Sequence, residues 1–342
     1  MTEQPPPEAT SRRPIRFGVG YDFRNISARR SNAEHYRRTL DRLIQAEELG
    51  FDAVWSAEHH MIPDGYCPSP AIIAAALASR TSRIGVVVGL LLLPLHHPLE
   101  VAEQVAVIDL LSDGRAQLAV GMGYRLEEFA AFGYEHKRRK SRMDEGCEIV
   151  LRSWTEDDWS FAGRNWNLQG VSIHPRPVQQ PHPPMWISAR NEIAAGRAAR
   201  FRCPLLIAPA PYTTHAAAVY ASYAAGLREQ GEDPSNYDVC GYFDCVVTDD
   251  PERYHANTDW LYATRRRELL DWYSKSGDIA DDADRIGNPP PELDAQMGVV
   301  ADAPGCIAAR GRYLDSGVPY TDVILGGATL ETFAAQVMPQ FH

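Results

Sequence analysis

The amino-acid sequence predicts an α/β protein, a (β/α)8 TIM barrel with one insertion after its fourth strand. Eight apolar, strand-like runs alternate with amphipathic helical stretches, and the first four runs begin at residues 15, 51, 83 and 115. This spacing is about one βαβ unit of roughly 30 residues. The rival fold, an open doubly wound sheet, predicts a GxGxxG turn after the first strand. The residues there, Gly18-Val19-Gly20-Tyr21-Asp22, do not have that pattern.

The elements follow from hydrophobic periodicity, taken in order along the chain. The predicted strands are 15–23, 51–57, 83–93, 115–121, 185–189, 204–208, 239–247 and 321–325. The third of these is almost entirely apolar, as expected of a strand buried on both faces. The predicted helices are 33–49, 69–82, 100–111, 141–155, 192–201, 213–230, one beginning near 251, 303–316 and 330–338.

Three segments depart from this alternation. Residues 157–184 combine aromatic side chains with glycines and many prolines, so we expect an inserted hairpin and loop. Residues 277–291 are acidic and Pro-rich, which predicts a mobile loop. Residues 1–14 are polar and Pro-rich without an apolar core, so we expect a disordered leader and not a signal peptide. The remainder, 15–342, is then a single barrel domain.

Composition excludes several classes of protein. With 342 residues, 44% hydrophobic and 23% charged, the chain has ordinary globular usage, so a disordered chain, a collagen or a coiled coil is excluded. The net charge of −11 argues against a nonspecific nucleic-acid binder. The six cysteines form no CxxC pair, which predicts free thiols in a reducing, cytoplasmic compartment. The longest apolar run, 84–95, is too short to span a membrane.

Candidate catalytic residues follow the second predicted strand, because barrel chemistry lies at the carboxyl ends of strands. Glu58-His59-His60 is the most distinctive cluster there, and we take His59 as the acid or base, since imidazole changes charge near neutral pH. A structural role for His60 is the simpler interpretation. A metal site is not expected, because consecutive strand residues alternate faces and His96-His97 lies between prolines, where a turn is predicted.

A candidate phosphate site follows the fifth predicted strand. Arg190 and Asn191 begin a helix, where free N–H groups, the helix dipole and a guanidinium favour an anion. The alternative is that Asn191 caps the helix while Arg190 faces solvent. Gly326-Gly327, before the last helix, is a competing phosphate site. Tyr124 and Arg125 follow the fourth strand and could reach the pocket, although Arg125 is also spaced to pair with Glu128 on a helix.

Several of these segments together resemble the bacterial luciferase-like, flavin-dependent monooxygenases. The resemblance covers residues 15 to 210 well and the rest loosely. The segments that carry it are Trp55-Ser-Ala-Glu-His-His60, Gly89-Leu-Leu-Leu-Leu-Pro94 with His97-Pro98, Asp109-Leu-Leu-Ser-Asp-Gly-Arg115, Gly121-Met-Gly-Tyr-Arg125 with Glu128-Phe129 and Phe132-Gly133, and Pro184-Met-Trp-Ile-Ser-Ala189.

The resemblance implies a fold, a cofactor and site residues. It implies the barrel with its insertion, reduced FMN supplied by a separate NAD(P)H:flavin reductase, and O2 reacting through a C4a-peroxyflavin. It places the active-site histidine at His59 and a non-prolyl cis peptide under the flavin ring at Gly89-Leu90. Together with the strand-end positions, it implies a flavin-binding set consisting of Glu58, Gly89, Leu90, Met122, Tyr124, Arg125, Ala189, Arg190 and Asn191.

The sequence also departs from that family and leaves alternatives open. Met122 stands where luciferase has an arginine directed to the phosphate, so either Arg190 supplies that charge or the flavin is held differently. An F420H2-dependent oxidoreductase is the main alternative, disfavoured because Ala189-Arg190-Asn191-Glu192 lacks the glycine-rich run of that branch. A catalytically silent flavin-binding subunit and a metal-dependent hydrolase are more distant. The resemblance implies a homodimer and a small, nonpolar or aromatic substrate, with no nucleic-acid or membrane partner.

Overall fold

The structure is a computed structural model that describes residues 14–207, 213–255, 299–314, 316–326 and 329–341. The predicted leader therefore lies outside the described residues except for Pro14, and the predicted mobile loop at 277–291 lies outside them entirely. Gly327, from the competing phosphate site, also lies outside.

Strands and helices alternate as the sequence predicts. The strands are β1 Arg16–Tyr21, β2 Ala53–Ser56, β3 Gly85–Leu92, β4 Ala116–Gly121, β5 Trp159–Ala162, β6 Asn167–Val171, β7 Met185–Ala189, β8 Leu205–Ile207, β9 Val239–Val247, β10 Val299–Ala301 and β11 Asp322–Gly326. The helices are α1 Asn32–Glu48, α2 Pro70–Ala78, α3 Pro98–Leu111, α4 Leu126–Ala131, α5 Arg139–Thr155, α6 Glu192–Arg200, α7 Thr213–Arg228, α8 Ala303–Leu314 and α9 Leu330–Gln336.

Eight parallel strands close into a barrel, which confirms the predicted fold. The ring runs β1-β2-β3-β4-β7-β8-β9-β11 and returns to β1. β10, which the sequence analysis missed, pairs in parallel with the last three residues of β9, beyond the part of β9 that pairs with β11. α4 was also not predicted as an element of its own. Each other boundary lies within a few residues of its prediction.

The insertion after β4 is the predicted hairpin. β5 and β6 pair antiparallel in a sheet of their own between α5 and β7. Trp159 and Trp166 of this hairpin are buried in a cluster with Ile149 of α5. This cluster attaches the insertion to the barrel. In the described part of the chain, no helix combines the length and the apolar character needed to cross a membrane.

Two indole rings pack against each other inside the barrel. Trp55 of β2 and Trp186 of β7 meet edge to face, with ring centroids 5.8 Å apart, and Trp186 Nε1 donates to Gln117 Oε1 at 2.7 Å. Gly18 makes room for them, because a Cβ there would lie 2.5 Å from Trp55 Nε1. The interior is thus a packed core, and chemistry is confined to the carboxyl ends of the strands.

Candidate active site

Three neighbouring strands bring the predicted catalytic residues together. β2, β3 and β4 are adjacent and parallel, so the residues that follow them share one rim of the barrel. His59 follows β2, and Tyr124 lies between β4 and α4. Their side chains meet, with Tyr124 Oη 3.0 Å from His59 Nε2.

His59 is held from three sides and is almost fully buried, with 9% of its side chain exposed. Its Nδ1 lies 2.9 Å from Glu128 Oε1, on α4. The ring of Tyr66 contacts the imidazole edge to face, with centroids 4.8 Å apart. Because a carboxylate only accepts hydrogen bonds, Nδ1 carries a proton, and Nε2 is directed to the Tyr124 hydroxyl. The orientation and tautomer of His59 are therefore both fixed.

Glu128 is the residue that sequence reasoning missed as part of the site. Its Oε1 accepts from the His60 backbone N–H at 2.8 Å and from Arg125 Nη1 at 3.0 Å, besides His59. Spacing on α4 indicated only a weak surface pair between Arg125 and Glu128, whereas the structure buries both. Arg125 Nη1 also donates to the His60 carbonyl at 2.8 Å, so this guanidinium acts on the site through Glu128 and His60.

The environment of Glu128 keeps its carboxylate charged. Burial by itself would raise the pKa, but the hydrogen bond and charge of His59, the His60 N–H and the charge of Arg125 together lower the pKa of Glu128 below its usual value. Its second oxygen, Oε2, is buried without a hydrogen-bond partner among the described residues. Glu128 therefore presents an ionised carboxylate to the Nδ1 side of His59.

Glu58 holds the end of strand β3, which lies beside the His59 segment on the barrel rim. The Gly89-Leu90 peptide is cis, as the resemblance implies. Gly89 is required there, because its φ is +144° and a Cβ would collide with the carbonyl oxygen of Ala119. The Glu58 N–H donates to the Leu90 carbonyl at 3.0 Å, and its Oε2 accepts from the Leu92 N–H. Glu58 is therefore hydrogen-bonded to the backbone of Leu90 and Leu92, at and just after the Gly89-Leu90 peptide.

The charge of Glu58 is also maintained by its neighbours. Its Oε1 lies 2.7 Å from Nε2 of both His60 and His96. Burial would raise the pKa of Glu58, but these two histidines and the Leu92 N–H lower it to about 2. The carboxylate is fully buried and occupied by these groups. His96 was expected only in a turn; it does end a 3-10 turn, Leu93–Leu95, but its ring reaches Glu58.

The predicted phosphate end lies across the barrel rim, where β4 and β7 pair. Two residues beyond the paired Val120 and Ile187 come Met122 and Ala189, which the parallel register places level with one another. Asn191 caps α6, its side chain accepting from the Ala194 N–H at 3.0 Å, as the capping alternative predicts. Arg190 lies at the same helix start and is half-buried.

A family comparison decides what this barrel is. A family model described as luciferase-like monooxygenase matches residues 15–318. The chain belongs to this family. It is similar to the oxygenase component of the flavin-dependent trigonelline monooxygenase of Acinetobacter baylyi (strain ATCC 33305 / BD413 / ADP1), with 25% identity over 204 residues, 57% of this chain and 54% of the relative.

The chain is also similar to a protein that is named for the cofactor F420. The F420-dependent glucose-6-phosphate dehydrogenase of Amycolatopsis mediterranei (strain U-32) is 32% identical over 180 residues, 50% of this chain and 54% of the relative.

The crystal structure of monooxygenase RslO1 from Streptomyces bottropensis superposes with a TM-score of 0.82 and 26% identity, covering 96% of this chain and all of that one. The chain spans about half the length of the first curated relatives that it matches.

The lowered pKa of Glu128 predicts how stability depends on pH. A carboxylate whose folded pKa lies below its ordinary value of 4.5 stabilises the fold above that pH, and this stabilisation is lost as the pH falls through the folded pKa. We expect Glu128→Gln to cost about 1–3 kcal/mol near pH 7, because charge-assisted hydrogen bonds are lost. The deficit should shrink below pH 4.5, as measured by urea unfolding at several pH values.

Glu127→Gln is the matched control for that experiment. Glu127 is the preceding residue on α4 and is exposed, so its substitution should change the free energy of unfolding by less than about 0.5 kcal/mol at every pH. A Glu128→Gln deficit that stays constant from pH 7 to pH 3 would contradict the assignment of a lowered pKa to Glu128.

Proposed function

We propose that this protein is the oxygenase of a two-component flavin-dependent monooxygenase. It would use reduced FMN from a separate NAD(P)H:flavin reductase, together with O2, to oxygenate a small nonpolar or aromatic substrate. The observation that carries the proposal is the clamped imidazole of His59, held by Glu128 and Tyr124 on the rim that also bears the Gly89-Leu90 peptide.

The residues of the rim fit a flavin at both ends. Leu90 presents an apolar surface over Gly121, where a Cβ would lie 3.0 Å from the leucine side chain, so the strands approach closely under a flat ring. Level with this floor, the start of α6 supplies backbone N–H groups and the dipole of the helix N-terminus, and Arg190 adds a positive charge. This donor set suits a single phosphate group.

His59 would manage a proton beside the ring. Bound reduced flavin supplies the electrons that activate O2. His59 Nε2 and the Tyr124 hydroxyl form one hydrogen-bonded pair, from which a proton can be given or taken. Glu128 stabilises the protonated ring through Nδ1, so His59 can take up a proton without leaving its position.

The aromatic wall around His59 favours an apolar substrate. Tyr66 and Tyr124 both contact the imidazole edge to face, with ring centroids 4.8 and 5.3 Å from that of His59. Buried arginines near this wall are paired within the protein, as Arg24 is with Asp64 and Arg125 with Glu128. An aromatic or aliphatic substrate would therefore meet rings and not fixed charges in this part of the site.

The choice between FMN and F420 is tested by anaerobic titration with each reduced cofactor. We expect FMNH2 to bind and F420H2 not to bind. With a flavin reductase and NADH present, O2 consumption should give an oxygenated product when a substrate is supplied. Binding of F420H2 alone, with hydride transfer that proceeds without O2, would replace the proposal by the alternative. Binding of neither cofactor would overturn both.

Replacement of His59 tests its role as the proton-handling residue. We expect His59→Asn to lower product formation by about 10²–10⁴-fold, the usual contribution of a general acid or base, while FMNH2 still binds. H2O2 released per flavin oxidised should rise. His174→Asn, in the exposed insertion, is the control and should behave as wild type. Unchanged turnover in His59→Asn would refute this role of His59, whereas a catalytically silent subunit would leave the activity of a heterodimer unchanged when its His59 is replaced.

We further propose that the protein is a homodimer assembled through α2 and α3. Val107, Leu110 and Leu111 are exposed at i, i+3 and i+4 spacing on α3, which packs beside α2, and Ile72 of α2 is also 69% exposed. Exposed apolar side chains on one helix face are typical of an interface. Leu110→Glu should convert a dimer to a monomer in light scattering, whereas Ile193→Glu, exposed on α6, should not. A monomeric wild-type protein would refute the interface.

A further inference from the structure

Among the described residues, a cluster of ligand-type side chains lies beside the proposed proton-handling group. Glu58, His60 and His96 bring one carboxylate oxygen and two imidazole nitrogens within 4.8 Å of one another. We propose that these three residues bind a divalent cation of the Zn²⁺ type. The proposal is independent of the proposed monooxygenase function, and it differs from the expectation that the chain has no metal site.

The donor set matches the coordination preferences of Zn²⁺. Two imidazoles and one carboxylate, with a water molecule in the fourth position, form a common tetrahedral zinc environment. Without an ion, the same atoms hydrogen-bond, each Nε2 lying 2.7 Å from Glu58 Oε1. Ligand atoms around zinc lie about 3.3 Å apart, so each imidazole would retract by roughly 0.6 Å.

The three ligands are already oriented by their neighbours. The Leu92 N–H holds Glu58 Oε2, which leaves Oε1 facing both imidazoles. Arg142 donates to the Pro94 carbonyl at 2.6 Å and fixes the turn that carries His96. Hydrogen bonds to the ligands and to the backbone that carries them raise metal affinity, because the ligand side chains are already oriented before the ion binds.

Access and protonation also fit an ion. Glu58 is fully buried, whereas His60 and His96 are 12% and 25% exposed, so an ion and its water would enter on the His96 side. Binding requires each imidazole to present an unprotonated Nε2, which a shift of its proton to Nδ1 provides. His59 is hydrogen-bonded instead to Glu128 and Tyr124, so ion binding would leave its contacts in place.

A bound ion would link the segments that follow two neighbouring strands. Glu58 and His60 follow β2, and His96 follows β3. An ion that binds the folded protein but not the unfolded chain raises the free energy of unfolding. Above Kd, this stabilisation grows with the logarithm of the ion concentration. The segment that includes the Gly89-Leu90 peptide would therefore be the part of the site that is held more firmly when the ion is bound.

Titration of the full-length, chelator-treated protein with ZnCl2 tests the site. We expect calorimetry to show one saturable equivalent and Tm to rise with Zn²⁺ concentration. His96→Gln should weaken this binding at least about tenfold, because a direct ligand is lost. His97→Gln is the matched control, since His97 is the adjacent, exposed residue, and it should bind as wild type. The partial exposure of His96 makes its variant tolerable to the fold.

Two outcomes would overturn the proposal. Absence of a saturable equivalent in the wild-type protein would mean that Glu58, His60 and His96 form a hydrogen-bonded cluster only. Equal affinity in His96→Gln and His97→Gln would mean that Zn²⁺ binds elsewhere. Because Co²⁺ in a site without cysteine gives visible absorption bands sensitive to coordination number, substitution by Co²⁺ provides a readout that does not depend on enzyme activity.

Discussion

The carboxylate of Glu128 is the constraint on which the geometry of the candidate site depends. One oxygen of this side chain accepts from the His59 imidazole, the His60 backbone and the Arg125 guanidinium. Burying such a charge costs several kcal/mol unless donors replace its hydration. The three donors come from two different strand ends, so satisfying the charge requires those ends to be in register. The position of His59 is thus tied to the alignment of β2 and β4, which flank β3 in the barrel.

A second buried carboxylate acts on the opposite side of the same tripeptide. Consecutive residues after β2 alternate in direction, so His59 meets Glu128 while Glu58 and His60 meet one another. Glu58 then holds the backbone of β3 through Leu90 and Leu92. Three strand ends are connected by two carboxylates, and neither depends on a long flexible side chain in solvent. Such an arrangement would keep His59 in place if it handles a proton, as we propose.

Much of the fold could be predicted from the sequence, because alternation and spacing are local signals. Strand β3 is apolar throughout, and helix α1 begins at a Ser31 cap. β10 was missed because three residues are too few to show a period, and its pairing is to the far end of a long β9. The structure shows the helix cap by Asn191 that the sequence allowed, because a cap depends only on the adjacent helix, whereas Arg190 is half-buried and does not simply face solvent.

The site was harder to predict, since its contacts join residues far apart in sequence. Arg125 and Glu128 are spaced as a surface pair would be, and only the packing of α4 against the end of β2 buries them beside His59. His96 was assigned correctly to a turn, but the direction of its ring depends on how that turn packs on Glu58. Local pattern identifies which residue types are available, whereas tertiary packing decides their partners.

The chain is similar over comparable stretches to relatives that are named for different cofactors, so similarity along the barrel does not by itself identify the cofactor. In this chain the rim between β4 and β7 carries Met122, an uncharged side chain, level with Ala189. Arg190 directly follows Ala189, beside the capped start of α6, and this is where we propose that the flavin phosphate binds. A guanidinium next to the N–H groups of a helix N-terminus would suit a single phosphate group. The same reasoning makes Arg190, and not Met122, the residue through which this member of the family would hold its flavin.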